Sequence, residues 1–366
     1  MNQLSVISCG NGDTVFLEAH GALILTDVNY RQAAQNGGDD ENLDFGPHIR
    51  QACAQKDHHL DIFVLTHPDK DHLGGYADLF HTGPPETWNP NPRYSQPKIL
   101  VDALWCSPYA INPNYVTDEA KPLIDEIDRR NQLRGTLDGK KAGNRLFVFE
   151  AGANGNVTNE IYCNVFAPTL TEATIPKKKA GEENEPSSNP SSLVIEWTVK
   201  VEGTPNYILL GGDSTVEIWE RIYRDINSGK RLPQWHVLLA PHHCSRRSMG
   251  RRDPETKIFE WSEEAITALS NKVDRGLVVA SSKAVKRDTD DPPSWNAKQK
   301  YLKILANGEQ PAEDDKRRFH CTGEAGKKGT CGHVIISLTK NGPVRRTSSA
   351  KTTQGDSAIT AGGGYG

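Results

Sequence analysis

The segment 61–75 reads DIFVLTHPDKDHLGG and joins a hydrophobic strand directly to a polar cluster. The cluster holds two imidazoles and two carboxylates, those of His67, Asp69, Asp71 and His72. Because unpaired carboxylates are costly to bury, these residues form either a solvated turn or a metal site. Alternate residues of a loop that leaves a strand can face one point. His67 with Asp69 would then bind one ion, and Asp71 with His72 a second.

Two more polar motifs follow hydrophobic runs. YILLGGD ends in Asp213, and HVLLAPHHCS contains His242 and His243. Open α/β sheets bind ligands at the carboxyl ends of their strands, so these motifs predict one dinuclear site at a sheet edge. Asp13 in GNGDT and Asp27 in ILTDVN are either ordinary turn residues or contributors to the surroundings of that site.

The order of hydrophobic runs predicts the architecture. Strands come first as hairpins and later alternate with helices, one of them expected from Phe259 to Leu269, which indicates packed sheets covered by helices in one α/β domain over residues 1–340. Irregular insertions are predicted at 84–98, which is proline-rich, and at 173–190, which is charged. Residues 341–366 are rich in Thr, Ser, Gly and Ala and are predicted to be a flexible tail.

Composition excludes several classes of protein. The 366 residues are 36% hydrophobic and carry 43 Lys and Arg against 47 Asp and Glu, a net charge of −4 that excludes a uniformly basic nucleic-acid coat. No apolar run approaches the length of a membrane span, and MNQLSVISCG does not read as a secretory signal. Seven scattered cysteines are typical of a reduced, cytoplasmic protein.

The motifs GNGDT, ILTDVN, THPDKDHLGG, LLGGDS and APHHCS, in this order, resemble the metallo-β-lactamase fold superfamily. The closest resemblance is to the soluble nuclease-like domain of the ComEC/Rec2 competence proteins, and it covers most of residues 3–340. It implies an αββα four-layer sandwich with two divalent metal ions in a cleft at one edge of the sheets. It also implies a hydrolase whose relatives include phosphodiesterases and nucleases. The expected metal ligands are His67, Asp69, Asp71, His72, Asp213 and His243.

Three departures from the superfamily pattern concern the metals. Asp69 stands where the commonest motif has histidine. A carboxylate is a harder ligand than an imidazole, so it favours Mn²⁺ or Mg²⁺ relative to Zn²⁺ without excluding Zn²⁺. No histidine lies between His81 and His236, and Asn189 occupies about the position of the missing ligand. Asp291 falls at the position of a further histidine near the C-terminus.

The expected mechanism is hydrolysis by a metal-activated water. Asp213 is the natural bridging carboxylate, and Asp71 is able both to bind metal and to orient the water. One of His242 and His243 would protonate the leaving group. The sequence does not decide which, and we favour His243 as ligand and His242 as proton donor.

The substrate is predicted from the segment SRRSMGRR, which contains Arg246, Arg247, Arg251 and Arg252. Guanidinium groups suit phosphate, so Arg246 and Arg247 are expected to bind a nucleic acid or nucleotide, with DNA favoured, unless the segment is simply a solvated helix start. Two alternatives remain open: hydrolysis of a small ester or lactam, and a binding module that has lost turnover. A soluble enzyme of this kind would act alone or with a companion protein.

His320, Cys321, Cys331 and His333 form a second candidate metal cluster near the C-terminus. Their residue types suit a small zinc knot that closes a hairpin. Their spacing is not that of a standard zinc finger, and ordinary packing is the alternative.

Overall fold

The structure is a computed structural model that describes residues 2–38, 41–91, 97–177, 187–287 and 291–346. The strands are β1 (Gln3–Val6), β2 (Val15–Ala19), β3 (Ala22–Thr26), β4 (His59–Leu65), β5 (Leu100–Cys106), β6 (Arg145–Val148), β7 (Asn154–Asn156), β8 (Ile161–Ala167), β9 (Val194–Val201), β10 (Thr204–Leu210), β11 (Trp235–Leu239), β12 (Gly250–Arg252), β13 (Phe259–Trp261), β14 (Lys272–Ala280), β15 (Phe319–Cys321), β16 (Val334–Thr339) and β17 (Gly342–Arg345).

The helices lie between these strands. They are α1 (Gln32–Gln35), α2 (Gly46–Ala54), α3 (Lys70–Leu73), α4 (Tyr76–Leu79), α5 (Lys121–Gln132), α6 (Val216–Arg224), α7 (Pro241–Cys244), α8 (Glu263–Leu269), α9 (Trp295–Leu305) and α10 (Glu313–Lys316). Within the described ranges, none of them has the length and hydrophobicity needed to cross a membrane.

Two large sheets contain most of the strands. The first has the order β17-β16-β1-β2-β3-β4-β5-β6, and the second has the order β15-β14-β11-β10-β9-β8-β7. The predicted opening meander is present, because β1, β2 and β3 pair antiparallel. From β3 to β6 the pairing is parallel, and β10, β11, β14 and β15 are also parallel. The strands β12 and β13 form a separate two-stranded ribbon.

Three hydrophobic clusters define four layers. One lies between the sheets and contains Ile62 of β4 and Trp197 of β9. A second packs Phe63, the next residue of β4, against α5, since successive strand side chains point to opposite faces. The third packs Trp219 of α6 against the outer face of the second sheet. Helices therefore cover both outer faces, which confirms the predicted αββα sandwich.

Parallel pairing places the polar motifs at one edge. The motif residues Asp27 and His67 follow the adjacent parallel strands β3 and β4. In the other sheet, Asp213 and His242 follow the parallel neighbours β10 and β11. The C-terminal half of each strand is buried, so its hydrophobic run ends where the polar residues of the site begin.

The first sheet includes a C-terminal strand that the sequence did not predict. Strand β17 pairs with β16 although it lies inside the segment 341–366, for which a flexible tail was predicted. The expected domain end at residue 340 therefore falls inside this hairpin, and residues 347–366 lie outside the described part of the chain. The composition of the whole segment 341–366 predicted a tail, and the strand Gly342–Arg345 is too short to alter that composition.

The helix predicted from Phe259 to Leu269 is shorter than expected. Phe259–Trp261 pairs with Gly250–Arg252 as a strand, and the helix begins only at Glu263. Ser262 is its N-cap, because the Ser262 side chain accepts a hydrogen bond from the backbone N–H of Ala265.

The two predicted insertions are described only in part. In the segment 84–98, a 3-10 turn spans Pro85–Thr87, and residues 92–96 lie outside the described structure. In the segment 173–190, residues 178–186 lie outside it.

Candidate metal centre

Four buried side chains from four different parts of the chain meet at this edge. They belong to Asp13, His72, Asp213 and His243, and one ligand atom of each lies within 4.8 Å of all the others. Among the residues that the structure describes, no other group of three or more His, Cys, Asp and Glu side chains meets this criterion. Two imidazoles and two carboxylates form a ligand set that suits Zn²⁺ or Mn²⁺.

The atoms that face one another in this group approach closely without hydrogen bonding. Asp213 Oδ1 lies 3.2 Å from His72 Nε2 and 3.4 Å from His243 Nε2, and Asp13 Oδ1 lies 3.4 Å from His243 Nδ1. Within the described chain, both of these carboxylate oxygens, His72 Nε2 and His243 Nδ1 are buried and lack a hydrogen-bond partner. Buried polar atoms without partners are rare and costly, so these residues fit a bound cation.

Asp27 orients one of the two imidazoles. Its carboxylate lies 2.7 Å from His72 Nδ1 and accepts hydrogen bonds from the backbone N–H and the hydroxyl of Thr66 at 2.7 and 2.6 Å. With Nδ1 engaged, His72 presents Nε2 to the centre, as in many metal sites. Burial opposes a charge on His72, but the carboxylates of Asp213 and Asp27 hold its pKa well above its usual value.

We expect Asp27→Asn to weaken metal binding about 10- to 100-fold, because an amide cannot replace the carboxylate that fixes the His72 ring. Metal affinity measured by competition with a chromogenic chelator checks this. Asp102→Asn is the matched control, since Asp102 holds His59 by the same kind of contact, at 2.6 Å, near the start of β4. Equal affinities in the two variants would contradict the role of Asp27.

The two adjacent histidines lie in a strained turn that points their side chains to different places. His242, His243 and Cys244 have φ values of 52°, 51° and 68°, in the left-handed region that non-glycine residues rarely adopt. The turn is held by hydrogen bonds from His242 N–H to Gly212 O and from Ser294 N–H to Cys244 O, both 2.9 Å long. The His243 side chain is 1% exposed and joins the centre, whereas that of His242 is 12% exposed.

Asp71 and His242 lie beside the four-residue group. Asp71 Oδ2 accepts a hydrogen bond from His243 Nε2 at 3.2 Å, and the side chain is 28% exposed. Burial opposes its ionisation, but the contacts with His243 and His72 lower its pKa. Burial lowers the pKa of His242, whose Nε2 lies 3.5 Å from Asp213 Oδ2, so this imidazole is neutral near pH 7.

His67 and Asp69 form a neighbouring pair outside the four-residue group. His67 Nε2 is buried without a hydrogen-bond partner in the described structure and lies 3.5 Å from Asp69 Oδ2. The His67 and His72 ring centroids are 4.2 Å apart. Asp69 also accepts a hydrogen bond from the hydroxyl of Ser188. Its neighbour Asn189 is buried, and the Asn189 side chain accepts a hydrogen bond from Ser187 at 2.7 Å.

An arginine-lined cleft of about 650 Å³ includes Arg246, Arg247, Arg251 and Arg252. Asp291, which also lines it, accepts hydrogen bonds from the backbone N–H and Nε of Arg246, both at 3.2 Å. The residue expected in place of a metal-site histidine therefore holds an arginine. Arg251 pairs with acidic side chains of α6, whereas Arg247 is exposed and makes no ion pair with any described residue.

The second candidate metal cluster is not assembled. His320 Nδ1 lies 2.9 Å from Arg345 Nη1, and His333 Nδ1 accepts the backbone N–H of Ser8 at 3.1 Å. Burial lowers the pKa of His320 to about 3 and that of His333 to about 4. With Cys321 and Cys331 buried and not in disulfides, ordinary packing accounts for these residues and the zinc knot is not supported.

The contribution of Asp13 is larger than the sequence indicated. The GNGDT turn packs against the loop after β4, and the Asp13 N–H donates to Asp71 O at 3.2 Å. A Cβ on Gly12 would lie 2.1 Å from the Asn29 side chain and 2.8 Å from Asp71 O. Glycine at this position is therefore the sequence signal for the close approach that brings Asp13 into the centre.

Comparisons with known proteins identify similar folds only. No family model matches the chain, and no curated protein matches it. A metallo hydrolase from Ignicoccus hospitalis, Igni18, matches with 12% identity, 85% of this chain, 97% of its own and a TM-score of 0.39. A variant of the CmlA beta-hydroxylase matches with 11% identity over 92% of this chain and 54% of its own, with a TM-score of 0.42. This chain therefore spans about half the length of that protein. A putative metal-dependent hydrolase from Parabacteroides distasonis matches with 9% identity over 80% of this chain and 87% of its own, with a TM-score of 0.31.

Proposed function

We propose that this chain is a metal-dependent hydrolase that cleaves phosphodiester bonds, with nucleic acid as substrate and DNA favoured. The observation that carries the proposal is the buried group Asp13, His72, Asp213 and His243, in which one inward-facing atom of each residue lacks a hydrogen-bond partner in the described structure. The motif resemblance to the nuclease-like domain of the ComEC/Rec2 competence proteins supports the same reaction class. A divalent ion bound there would lower the pKa of a water and offset charge on phosphoryl oxygens.

The residues provide for two ions. The four-residue group would hold the first, and His67 with Asp69 would hold the second. Asp213, the bridging carboxylate expected from the sequence, would bind the first ion through Oδ1, which faces His72 and His243, while its Oδ2 faces His242. The six proposed ligands are three carboxylates and three imidazoles, a mixed set that suits Mn²⁺ or Zn²⁺ and also allows Mg²⁺.

Asp71 and His242 would move the protons. Asp71 is ionised and partly exposed, so it can accept a hydrogen bond from the attacking water and orient it. His242 is neutral near pH 7 and closer to solvent than His243, so it can take a proton from the water and return it to the leaving oxygen. The sequence predicted only that His242 protonates the leaving group. Because burial lowers the pKa of His242, this residue would start neutral and would first accept a proton from the water.

The cleft favours a phosphodiester over a small ester or lactam. Arg247 is exposed, and Arg246 is held in place by Asp291, so one guanidinium is open to solvent and the other is oriented. Planar guanidinium groups bind two phosphate oxygens at once. Asn189, which is next to Ser188 and its contact with Asp69, would also bind the substrate.

Metal content and cleavage measured together test the proposal. Protein loaded with Mn²⁺ or Zn²⁺ is expected to hydrolyse bis(p-nitrophenyl) phosphate and DNA, and EDTA is expected to abolish both activities. RNA and the lactam nitrocefin are the comparison substrates. Turnover of nitrocefin without phosphodiester cleavage would contradict the proposal, as would bound metal without any turnover.

A further inference from the structure

A second cleft continues the arginine-lined one. It has a volume of about 380 Å³, and both clefts are lined by Arg246 and Phe259. The first includes the arginines of β12, and the second extends to helix α9. Together they form one groove, here called the ribbon groove, that runs along β12, β13 and α9.

Helix α9 lines the groove with polar and basic side chains. Asn296, Gln299, Lys300 and Lys303 follow the spacing i, i+3, i+4 and i+7 and therefore share one face of the helix. Neither lysine forms an ion pair with a residue that the structure describes. The described residues therefore do not neutralise these ammonium groups.

The ribbon contributes two aromatic rings between these cations. Phe259 and Trp261 are alternate residues of β13, with ring centroids 5.0 Å apart. The guanidinium carbon of Arg246 lies 4.7 Å from the Phe259 ring centroid, and Lys300 Nζ lies 4.8 Å from that of Trp261. Both rings are half-buried, so part of each remains accessible to a ligand.

We infer that the ribbon groove binds single-stranded nucleic acid next to the metal centre. Basic side chains that follow a phosphate backbone, combined with aromatic rings on which bases stack, are the elements of single-strand binding sites. A duplex keeps its bases stacked on one another and offers none to Phe259 and Trp261. The inference deepens the proposed function and rests on it for the role of the bound strand as substrate.

Charge supports the same occupant. The groove is lined by six basic residues, Arg246, Arg247, Arg251, Arg252, Lys300 and Lys303, against the two acidic residues Glu217 and Asp291. Both acidic side chains are engaged by arginines of the groove. A chain of net charge −4 thus concentrates positive charge beside the buried carboxylates of the metal centre.

The test is the binding of a fluorescein-labelled oligothymidylate by the full chain, with Mn²⁺ and with EDTA. For Lys300→Gln with Lys303→Gln we expect Kd to rise about 25-fold at about 0.1 M salt, and the salt slope to fall by about 1.4. Trp261→Leu should weaken binding about tenfold with an unchanged slope, because it removes stacking and no charge. Thermal unfolding would show that each variant is folded.

The control is Lys121→Gln with Lys140→Gln, which removes two exposed lysines from the face covered by α5. Equal Kd values for the two double variants would overturn the inference, and tighter binding of duplex than of single strand would overturn the choice of ligand. Hydrolysis of bis(p-nitrophenyl) phosphate by the wild type, measured separately, reports on the metal centre alone. If the wild type lacks that hydrolysis but the variant still loses binding, the groove stands and the proposed function fails.

Discussion

Asp213→Asn is expected to lower phosphodiester hydrolysis about a thousandfold and to remove metal from a chain that remains folded. Asp213 is buried, and its two oxygens face His72, His243 and His242 at 3.2, 3.4 and 3.5 Å. Asparagine keeps the shape but removes the charge and one acceptor oxygen. Losing several kcal/mol of transition-state stabilisation, at about 1.4 kcal/mol per factor of ten, gives this magnitude.

Metal content by plasma emission spectroscopy and the rate on bis(p-nitrophenyl) phosphate are the two measurements. Asp274→Asn is the control, because Asp274 is exposed, lies near the start of β14, and has a positive φ that asparagine also tolerates. A variant of Asp213 that keeps its metal and its rate would show that the buried group is not the reactive centre.

Local patterns were sufficient to predict packed sheets covered by helices and a candidate site at the strand ends, whereas the four-layer αββα arrangement was implied by the motif resemblance. The hydrophobic run of β4 followed by the polar residues from His67 onward predicts a buried strand with a site at its end. The same pattern in β10 and β11 predicts that Asp213 and His243 lie at a similar edge. Parallel pairing then brings these ends together, and the structure shows that pairing.

Contacts between distant segments were beyond the sequence. Asp13 enters the centre only because its turn packs against the loop of Asp71, far along the chain. Asp291 faces Arg246 instead of the centre, and this depends on how two loops meet. The left-handed φ values of His242 and His243 oppose local preference and are imposed by surrounding hydrogen bonds. Hydrophobic periodicity carries no information about any of these contacts.

A buried ion pair on α5 is predicted to dominate the response of stability to mutation. The carboxylate of Glu126 is 1% exposed and accepts hydrogen bonds from Arg130 Nε at 2.7 Å and from Gly83 N–H at 2.8 Å. Arg130, fully buried, also donates to Val101 O at 3.0 Å and so ties the helix to β5. Glu126→Gln would leave the guanidinium buried without its counter-charge, at a cost of about 3–5 kcal/mol in the free energy of unfolding.

Urea unfolding at several pH values measures this cost. Burial opposes ionisation of Glu126, but its contacts with Arg129 and Arg130 lower its pKa below the usual 4.5. The pair therefore stabilises the fold above pH 4.5 and ceases to do so as the pH falls through the lower pKa of Glu126 in the folded state. The difference in the free energy of unfolding between wild type and Glu126→Gln should therefore narrow below about pH 4. Lys121→Gln breaks the exposed pair with Asp125 on the same helix, at the same i,i+4 spacing, and should change stability far less. Similar losses in the two variants at neutral pH would show that burial of Glu126 and Arg130 contributes nothing beyond a surface pair.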